Sequence, residues 1–308
     1  MNSTMNDYQS VREGGAGLID LSASRGRIRV TGAEAVQFLN GLITNDIKNA
    51  TQNSWLPAVF PTVQGRLIGA VRIAKLDSGF LIDTETASHE AVLKTISRFT
   101  LAGDFRVTDV SSEMALLTVQ GKRAAEVIQA VDVTGIRATH TAEDGFDLLV
   151  DTDDRGAIVD KLIAAGAHRL SPETFETLRI EAGIPRHGQD MDETNVVLEA
   201  NLDDAISYTK GCYLGQEIII RIKHRGHVAK KLTGLKFDQP VESGAQIKSP
   251  DGKEVGRVTS VTYSPKLDSP IALGYVRHEY LAPGTPVTAG DVSGTVTELP
   301  FIRGSWYD

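Results

Sequence analysis

KGCYLGQEIIIRIKHRGHVAKK, residues 210–231, is the stretch from which the rest of the chain can be read. It holds the only cysteine, Cys212, between Gly211 and Tyr213. Gly215, Gln216 and Glu217 follow as a tight polar turn, then the apolar run Ile218–Ile220 and a basic segment. Lys210, Arg221, Lys223, Arg225, Lys230 and Lys231 face one acid there, Glu217, although the whole chain carries −8. Cys212 has two readings. A lone thiol commonly packs as a small hydrophobe. Alternatively, Lys210 and the N–H groups of a glycine turn would favour the reactive thiolate. Polar, turn-forming neighbours argue for exposure and for the second reading.

A chain of 308 residues has room for two or three domains, taking roughly 100–200 residues for each. Its 41% apolar and 23% charged content are those of an ordinary globular protein. A net charge of −8 does not fit the broad basic surface of a nucleic-acid coat, so no direct nucleic-acid partner is expected. A small anionic ligand needs only a local basic patch. One cysteine excludes an intramolecular disulfide and an all-cysteine metal site. It also excludes an iron–sulfur cluster held by this chain's thiols alone. His224 and His227 lack an acidic or cysteine partner at a ligand spacing, so no metal is expected. The N-terminus has neither an apolar h-region nor an Arg-rich character, and reads as neither signal nor transit peptide. No run approaches the ~20 apolar residues of a membrane span. The expectation is a cytoplasmic protein.

Working outward, residues 27–30 read as a strand, and Thr31–Glu34 has capping-box spacing before a helix with Val36, Leu39 and Ile43 on one face. Residues 55–60, 67–74 and 80–83 read as strands joined by hairpin chemistry. A helix over 88–100 and a strand over 105–109 complete an α+β lobe. A second pass starts at Met114–Gln120, and Ile28–Val36 resembles Leu117–Ala125 as strand, glycine, helix. Ser171-Pro172-Glu173 opens a further helix, which Gly183 and Pro185 end. After Leu232, short strand candidates separated by turns suggest an all-β barrel or sandwich beginning near residue 230.

K-G-C-Y-x-G-Q-E, at Lys210, Gly211, Cys212, Tyr213, Gly215, Gln216 and Glu217, resembles the signature of the YgfZ family of folate-binding proteins. That family is similar to the T-protein (aminomethyltransferase) of the glycine cleavage system. The resemblance extends to FLNG at 38–41, TND at 44–46, Gln64-Gly65-Arg66 and Ala272–Val276, so it covers almost the whole chain. It implies an α+β, three-lobed ring of two α+β lobes plus a C-terminal antiparallel β-barrel. The implied parts are a discontinuous folate-binding domain (1–50 and 112–229), a ferredoxin-like lobe (51–111) and the barrel (230–308). The implied cofactor is tetrahydrofolate or another folate. The implied role is support of iron–sulfur cluster assembly or repair, with iron–sulfur assembly proteins as partners and tRNA-modifying enzymes among the beneficiaries. Arg179, Glu181, Ala182 and Gly183 match the family's R-x-E-A-G motif, which assigns Glu181 to the pterin ring. Read from the residues alone, Glu181 is a surface glutamate paired with Arg179 or a neighbour. Arg221, Lys223 and above all Arg225 are the candidates for the folate's carboxylates, since Arg grips carboxylates bidentately.

One departure bears on activity. Aminomethyltransferases carry an acidic pair, including the catalytic aspartate, after a Gly-Gly pair. The matching stretch here is Gln64-Gly65-Arg66-Leu67-Ile68-Gly69-Ala70, with no acid. General acid–base work on an aminomethyl group then lacks its obvious agent. A T-protein-type transferase or demethylase remains the alternative if Asp46 or Asp190 reaches the cavity. A non-catalytic, folate-regulated scaffold is the other.

Overall fold

The structure is a computed structural model that describes residues 2–52, 54–101 and 103–308. Helix α1 (Asn2–Arg12) leads into strand β1 (Gly17–Asp20). β1 pairs antiparallel with β7 (Met114–Gln120) and parallel with β10 (His168–Arg169). With β8 (Ile136–Arg137) and β9 (Gly145–Asp151) they form a five-stranded sheet in the order β10-β1-β7-β9-β8. Alternation along β7 divides its faces. Leu117 and Val119 pack with Val127 of helix α4 (Ala124–Val131) and Leu162 of α5 (Arg155–Ala164). Leu116 instead meets Tyr8 and Val11 of α1 and Phe175 and Leu178 of α6 (Pro172–Glu181). α6 starts as its sequence dictates: Pro172 occupies the first turn and the Ser171 side chain accepts from the Thr174 N–H.

Between β1 and β7 the chain builds a second, wholly antiparallel sheet, ordered β3-β4-β5-β2-β6. Its strands are β2 (Arg25–Thr31), β3 (Leu56–Pro61), β4 (Leu67–Leu76), β5 (Gly79–Glu85) and β6 (Arg106–Asp109). Helices α2 (Ala35–Leu42) and α3 (Thr86–Ser97) bury Leu39, Val92 and Ile96 against Ile28, Val30, Phe60 and Ile73. This corrects the expected division. Residues 25–50 belong with 51–109, because β2 hydrogen-bonds to β5 and β6. Residues 191–219 also pack on this lobe, with Met191, Val197, Tyr213 and Ile219 against Val59 and Leu67. The capping box expected at Thr31–Glu34 does not form: Glu34 accepts from the Asp104 N–H instead. Both halves of the suspected duplication do fold as strand, turn and helix, β2–α2 and β7–α4.

Six strands close the C-terminal barrel in the order β11-β14-β13-β12-β15-β16. They are β11 (Lys230–Phe237), β12 (Gln246–Lys248), β13 (Glu254–Ser264), β14 (Ser269–Arg277), β15 (Pro286–Ala289) and β16 (Val292–Thr297). Closure removes exposed strand edges. The outer face of the barrel packs on α6 through Ile180, Leu232, Ile271 and Leu273. The basic segment expected as strand and loop is instead helix α7 (Gln216–Arg225), bounded by Gly215 and Gly226. Among the described residues no helix is long and apolar enough to cross a membrane.

Buried ion pairs set the acid limit of this fold. Burial pushes the Asp83 and Asp147 carboxyls up, but Arg25 and Arg72 at the first, and Arg72 and His140 at the second, hold both below the usual range. Burial likewise raises Glu143, and hydrogen bonds from Ser305 and Arg12 more than offset it. Depressed carboxyls give stability that is complete above the unfolded value near 4 and is lost as pH falls toward the lower folded values. Urea midpoints are therefore expected to stay flat between about pH 7 and pH 5 as far as these groups decide them, and to drop steeply below about pH 4. A midpoint falling evenly from neutrality would show that other groups dominate.

Candidate functional site

The KGCYLGQE motif is mostly a clasp. Lys210 is buried, and its Nζ donates to the carbonyls of Asn40, Ile43 and Asn45 at 2.6–2.9 Å. Those oxygens lie at the C-terminal end of α2, where a cation is favourable. Burial pulls the Lys210 pKa down to about 8. Its ammonium is thus committed to α2, and the expected activation of Cys212 by Lys210 is not built. Tyr213 is buried with the Lys210 Nζ over its ring at 5.1 Å. The Leu214 N–H donates to the Gly41 carbonyl. Glu217 pairs with Arg221 on the surface. Cys212 is presented outward, exposed and free.

Gly215 makes this turn possible. Its φ is 77°, and a Cβ there would fall inside contact distance of the Thr62 carbonyl oxygen. Gly215→Ala is expected to lower stability by at least about 1–2 kcal/mol from the left-handed backbone alone, and to raise the reaction rate of Cys212 with thiol reagents by loosening its turn. Unchanged stability and thiol kinetics would show that the clasp yields without strain.

Glu181 does not sit where the motif placed it. It is fully buried at the end of α6 and accepts from Tyr8 Oη, from the Arg12 guanidinium at 2.6 Å and from Ser264 Oγ. Arg12 also donates to Glu143 and to the Thr141 carbonyl. The expected pterin carboxylate is therefore a structural knot joining α1, α6, the β8–β9 loop and the barrel, and it lines none of the cavities described below. Arg179 is equally internal, held to Glu176 and Asp190. Among the folate-tail candidates, Lys223 lines a separate cavity of about 290 Å³ with His227, Lys231 and His278, while Arg221 and Arg225 are exposed. Glu181 and these cations share no cavity. Asp46 caps a short turn at Lys48, and Asp190 is tied to Arg179, Thr259 and Ser260. Neither lines the central cavity.

That cavity, about 230 Å³, lies where the two sheets and the segment after α6 meet. Leu21, Pro57, Val71, Phe175, Ile184 and Leu202 give it apolar walls. Ala70, the last residue of the stretch in which no acid was found, stands on the wall. Its polar residues are led by the acids Glu85 and Asp204, the cations Arg25, Arg72, Arg179 and Arg186, and His140. Behind them Asp83 receives Arg25 and Arg72, both at 2.6 Å. Asp147 receives Arg72 at 2.7 Å, His140 Nε2 at 2.9 Å and Trp55 Nε1 at 2.9 Å. A second, larger cavity of about 460 Å³ lies between the 189–195 loop and the barrel, beside the buried, unpartnered hydroxyl of Tyr275.

Reading the sequence alone missed Arg25, Arg72, Asp83, His140 and Asp147. A signal existed. Arg72, Asp83 and Asp147 are charges inside otherwise apolar strand runs, IGAVRIA, FLID and GFDLLV. A charge embedded in such a run is buried and paired, or it marks a site.

Comparison with known proteins agrees with this architecture. Residues 1–135 and 128–210 match the GCVT N-terminal domain, and residues 230–307 match the Glycine cleavage T-protein C-terminal barrel domain. An aminomethyltransferase of Geobacillus kaustophilus is 30% identical over 98% of this chain and 91% of its own. A chloroplastic protein of Arabidopsis thaliana, provisionally named a transferase, is 26% identical over 94% of this chain and 72% of its own. The crystal structure of glycine cleavage system aminomethyltransferase T from Bartonella henselae superposes with a TM-score of 0.89 at 23% identity, covering 97% of this chain and 90% of that one. The three-lobed fold is therefore the T-protein fold, and with both domain matches spanning nearly its whole length the chain belongs to the glycine cleavage T-protein (GCVT) family.

Proposed function

We propose that this protein binds a reduced folate in the central cavity and supports iron–sulfur cluster assembly or repair through Cys212, as the YgfZ resemblance implies. Cluster-dependent enzymes, tRNA-modifying ones among them, would be the beneficiaries. The observation that carries the reading is the clasp: Lys210, Tyr213 and Gly215 are locked into the fold while Cys212 is held exposed. A single thiol is one ligand, so a partner's cysteines must supply the rest. A cytoplasmic setting, where thiols stay reduced, suits such a residue. The apolar walls with a polar side suit a planar heterocycle.

Calorimetry with tetrahydrofolate tests the first half, comparing the wild type with Ala70→Phe, which fills the cavity wall. Binding in the wild type and none in the variant is expected. Complementation of cells lacking the protein tests the second half: Cys212→Ser should keep folate binding and lose cluster-dependent enzyme activity. No wild-type binding, or full complementation by Cys212→Ser, overturns the respective half. One-carbon transfer is the second reading, favoured by one observation, a His140 that lines the same cavity as Ala70 and is paired to Asp147 behind it.

A further inference from the structure

His140 is the one histidine on the wall of the central cavity. Its Nε2 lies 2.9 Å from Asp147 Oδ1 and 3.2 Å from Arg72 Nη1. A carboxylate only accepts, so Nε2 carries the proton. Arg72 and His140 are then two donors converging on one acid, which explains their close approach. Nδ1 has no hydrogen-bond partner among the described residues, and it is not one of the buried unpartnered atoms. It therefore keeps accessible surface, on a ring that lines the cavity. The Phe175 ring lies 6.0 Å from the imidazole on the α6 side.

The loop that carries His140 is fixed from several sides. The His140 N–H and the Thr141 hydroxyl both donate to Gln120 Oε1, and Gln120 Nε2 donates to the Ala138 carbonyl. Arg12 holds the Thr141 carbonyl, and Glu143 accepts from the Ser305 N–H. Ala142 sits at a φ of 67°, a left-handed backbone that a non-glycine residue adopts only when its surroundings impose it. Asp147 is completely buried and is further fixed by Trp55. An imidazole held this firmly, with one nitrogen tied to a buried carboxylate and the other accessible on a ring that lines a cavity, has the arrangement of a proton-transfer group whose tautomer is preset.

We propose that His140 is the proton-exchange residue of the central cavity, with Asp147 its positioning residue and a nitrogen heterocycle its partner. The step is a proton transfer alone. Where a ligand nitrogen is protonated, its N–H bond breaks and the electron pair stays on that nitrogen. The proton bonds to Nδ1, and the imidazolium lies against Asp147. The reverse step returns the proton. The charges in contact with the ring are Asp147 on β9 and Arg72 on β4, with Asp83 on β5 and Arg25 on β2 paired behind Arg72; Glu85, Arg179, Arg186 and Asp204 are the other charged residues of the cavity wall. His140 thereby adds a proton-transfer group to a wall whose acids are Glu85 and Asp204. The identity of the heterocycle rests on the folate reading; the dyad does not.

Imidazole ¹⁵N spectra of the full-length protein between pH 5 and 9 test the dyad without any ligand. The expected neutral form carries its proton on Nε2, and Nδ1 gains one on acidification. Asp147→Asn should mix the tautomers. A dominant Nδ1–H tautomer, or an Nδ1 that never titrates, overturns the proposal. Calorimetry of tetrahydrofolate in two buffers of different ionisation enthalpy counts the protons exchanged on binding. Wild type should exchange protons on binding, and His140→Gln should exchange fewer. Equal exchange in both overturns the proposal. Absent binding overturns the folate reading instead. The dyad then stands or falls on the spectra and on diethyl pyrocarbonate, which should modify an open Nδ1 and spare a closed one.

Discussion

Replacing Arg12 with alanine is expected to destabilise the protein by about 3–5 kcal/mol, the usual loss when one partner of a buried ion pair is removed. The guanidinium is almost wholly buried between Glu181 at 2.6 Å and Glu143 at 2.9 Å. Its removal leaves two carboxylates out of water with Tyr8, Ser264 and Ser305 as their remaining donors. Burial works against the charge of Arg12, and Glu181 more than offsets it and raises the pKa, so the guanidinium is charged at neutral pH. Urea unfolding measures the loss. Arg12→Leu combined with Glu181→Leu should recover most of it, because an apolar pair of similar volume often replaces a buried ion pair without penalty. A single-variant loss below about 1 kcal/mol would mean that solvent reaches the carboxylates, as for an exposed pair. The same experiment separates knot from pterin ligand: a Glu181 variant should fail first in stability, not in folate affinity.

Asp83→Ala is the second large effect, also expected near 3–5 kcal/mol. Asp83 is fully buried in β5 and receives Arg25 from β2 and Arg72 from β4, both at 2.6 Å. Three adjacent strands are thus tied through one carboxylate. Without it Arg25 keeps Glu85 and Arg72 keeps Asp147. The charge network beneath the cavity would be reset as well as weakened, so affinity for a cavity ligand should fall together with the urea midpoint. A loss below about 1 kcal/mol would show that the remaining two acids satisfy both arginines.

The fold was legible where pattern and period coincide. The hairpins of the second lobe, the Ser171-Pro172 start of α6 and the short barrel strands all carry local signals, and motif resemblance joined them into the T-protein architecture. Legibility ended where partners are distant in sequence. Nothing local in Arg25–Thr31 says that it pairs with Gly79–Glu85 and not with Met114–Gln120, so the lobe boundary was misplaced. The helix over Gln216–Arg225 was hidden by three consecutive isoleucines, which favour strands, and tertiary packing of Ile219 overrode that propensity. At the site, Cys212 was found because it is unique. Glu181 was assigned by motif, but its occupants come from residues 8, 12 and 264. His140 and Asp147 lie seven apart in a loop and a strand, and only the fold brings the pair to a cavity.

The interrupted first sheet has a consequence for how the chain is made. β2 to β6 form a complete sheet from one continuous segment, whereas β1 must wait for β7 and β10. During synthesis the inserted lobe can close as soon as it emerges, while the amino terminus has no docking surface. Pairings so distant in sequence slow folding, because loop closure must precede the contacts that reward it. The segment before β2 is therefore seated late, and Arg12 seals the molecule only after Glu181, Glu143 and the barrel's Ser264 have arrived.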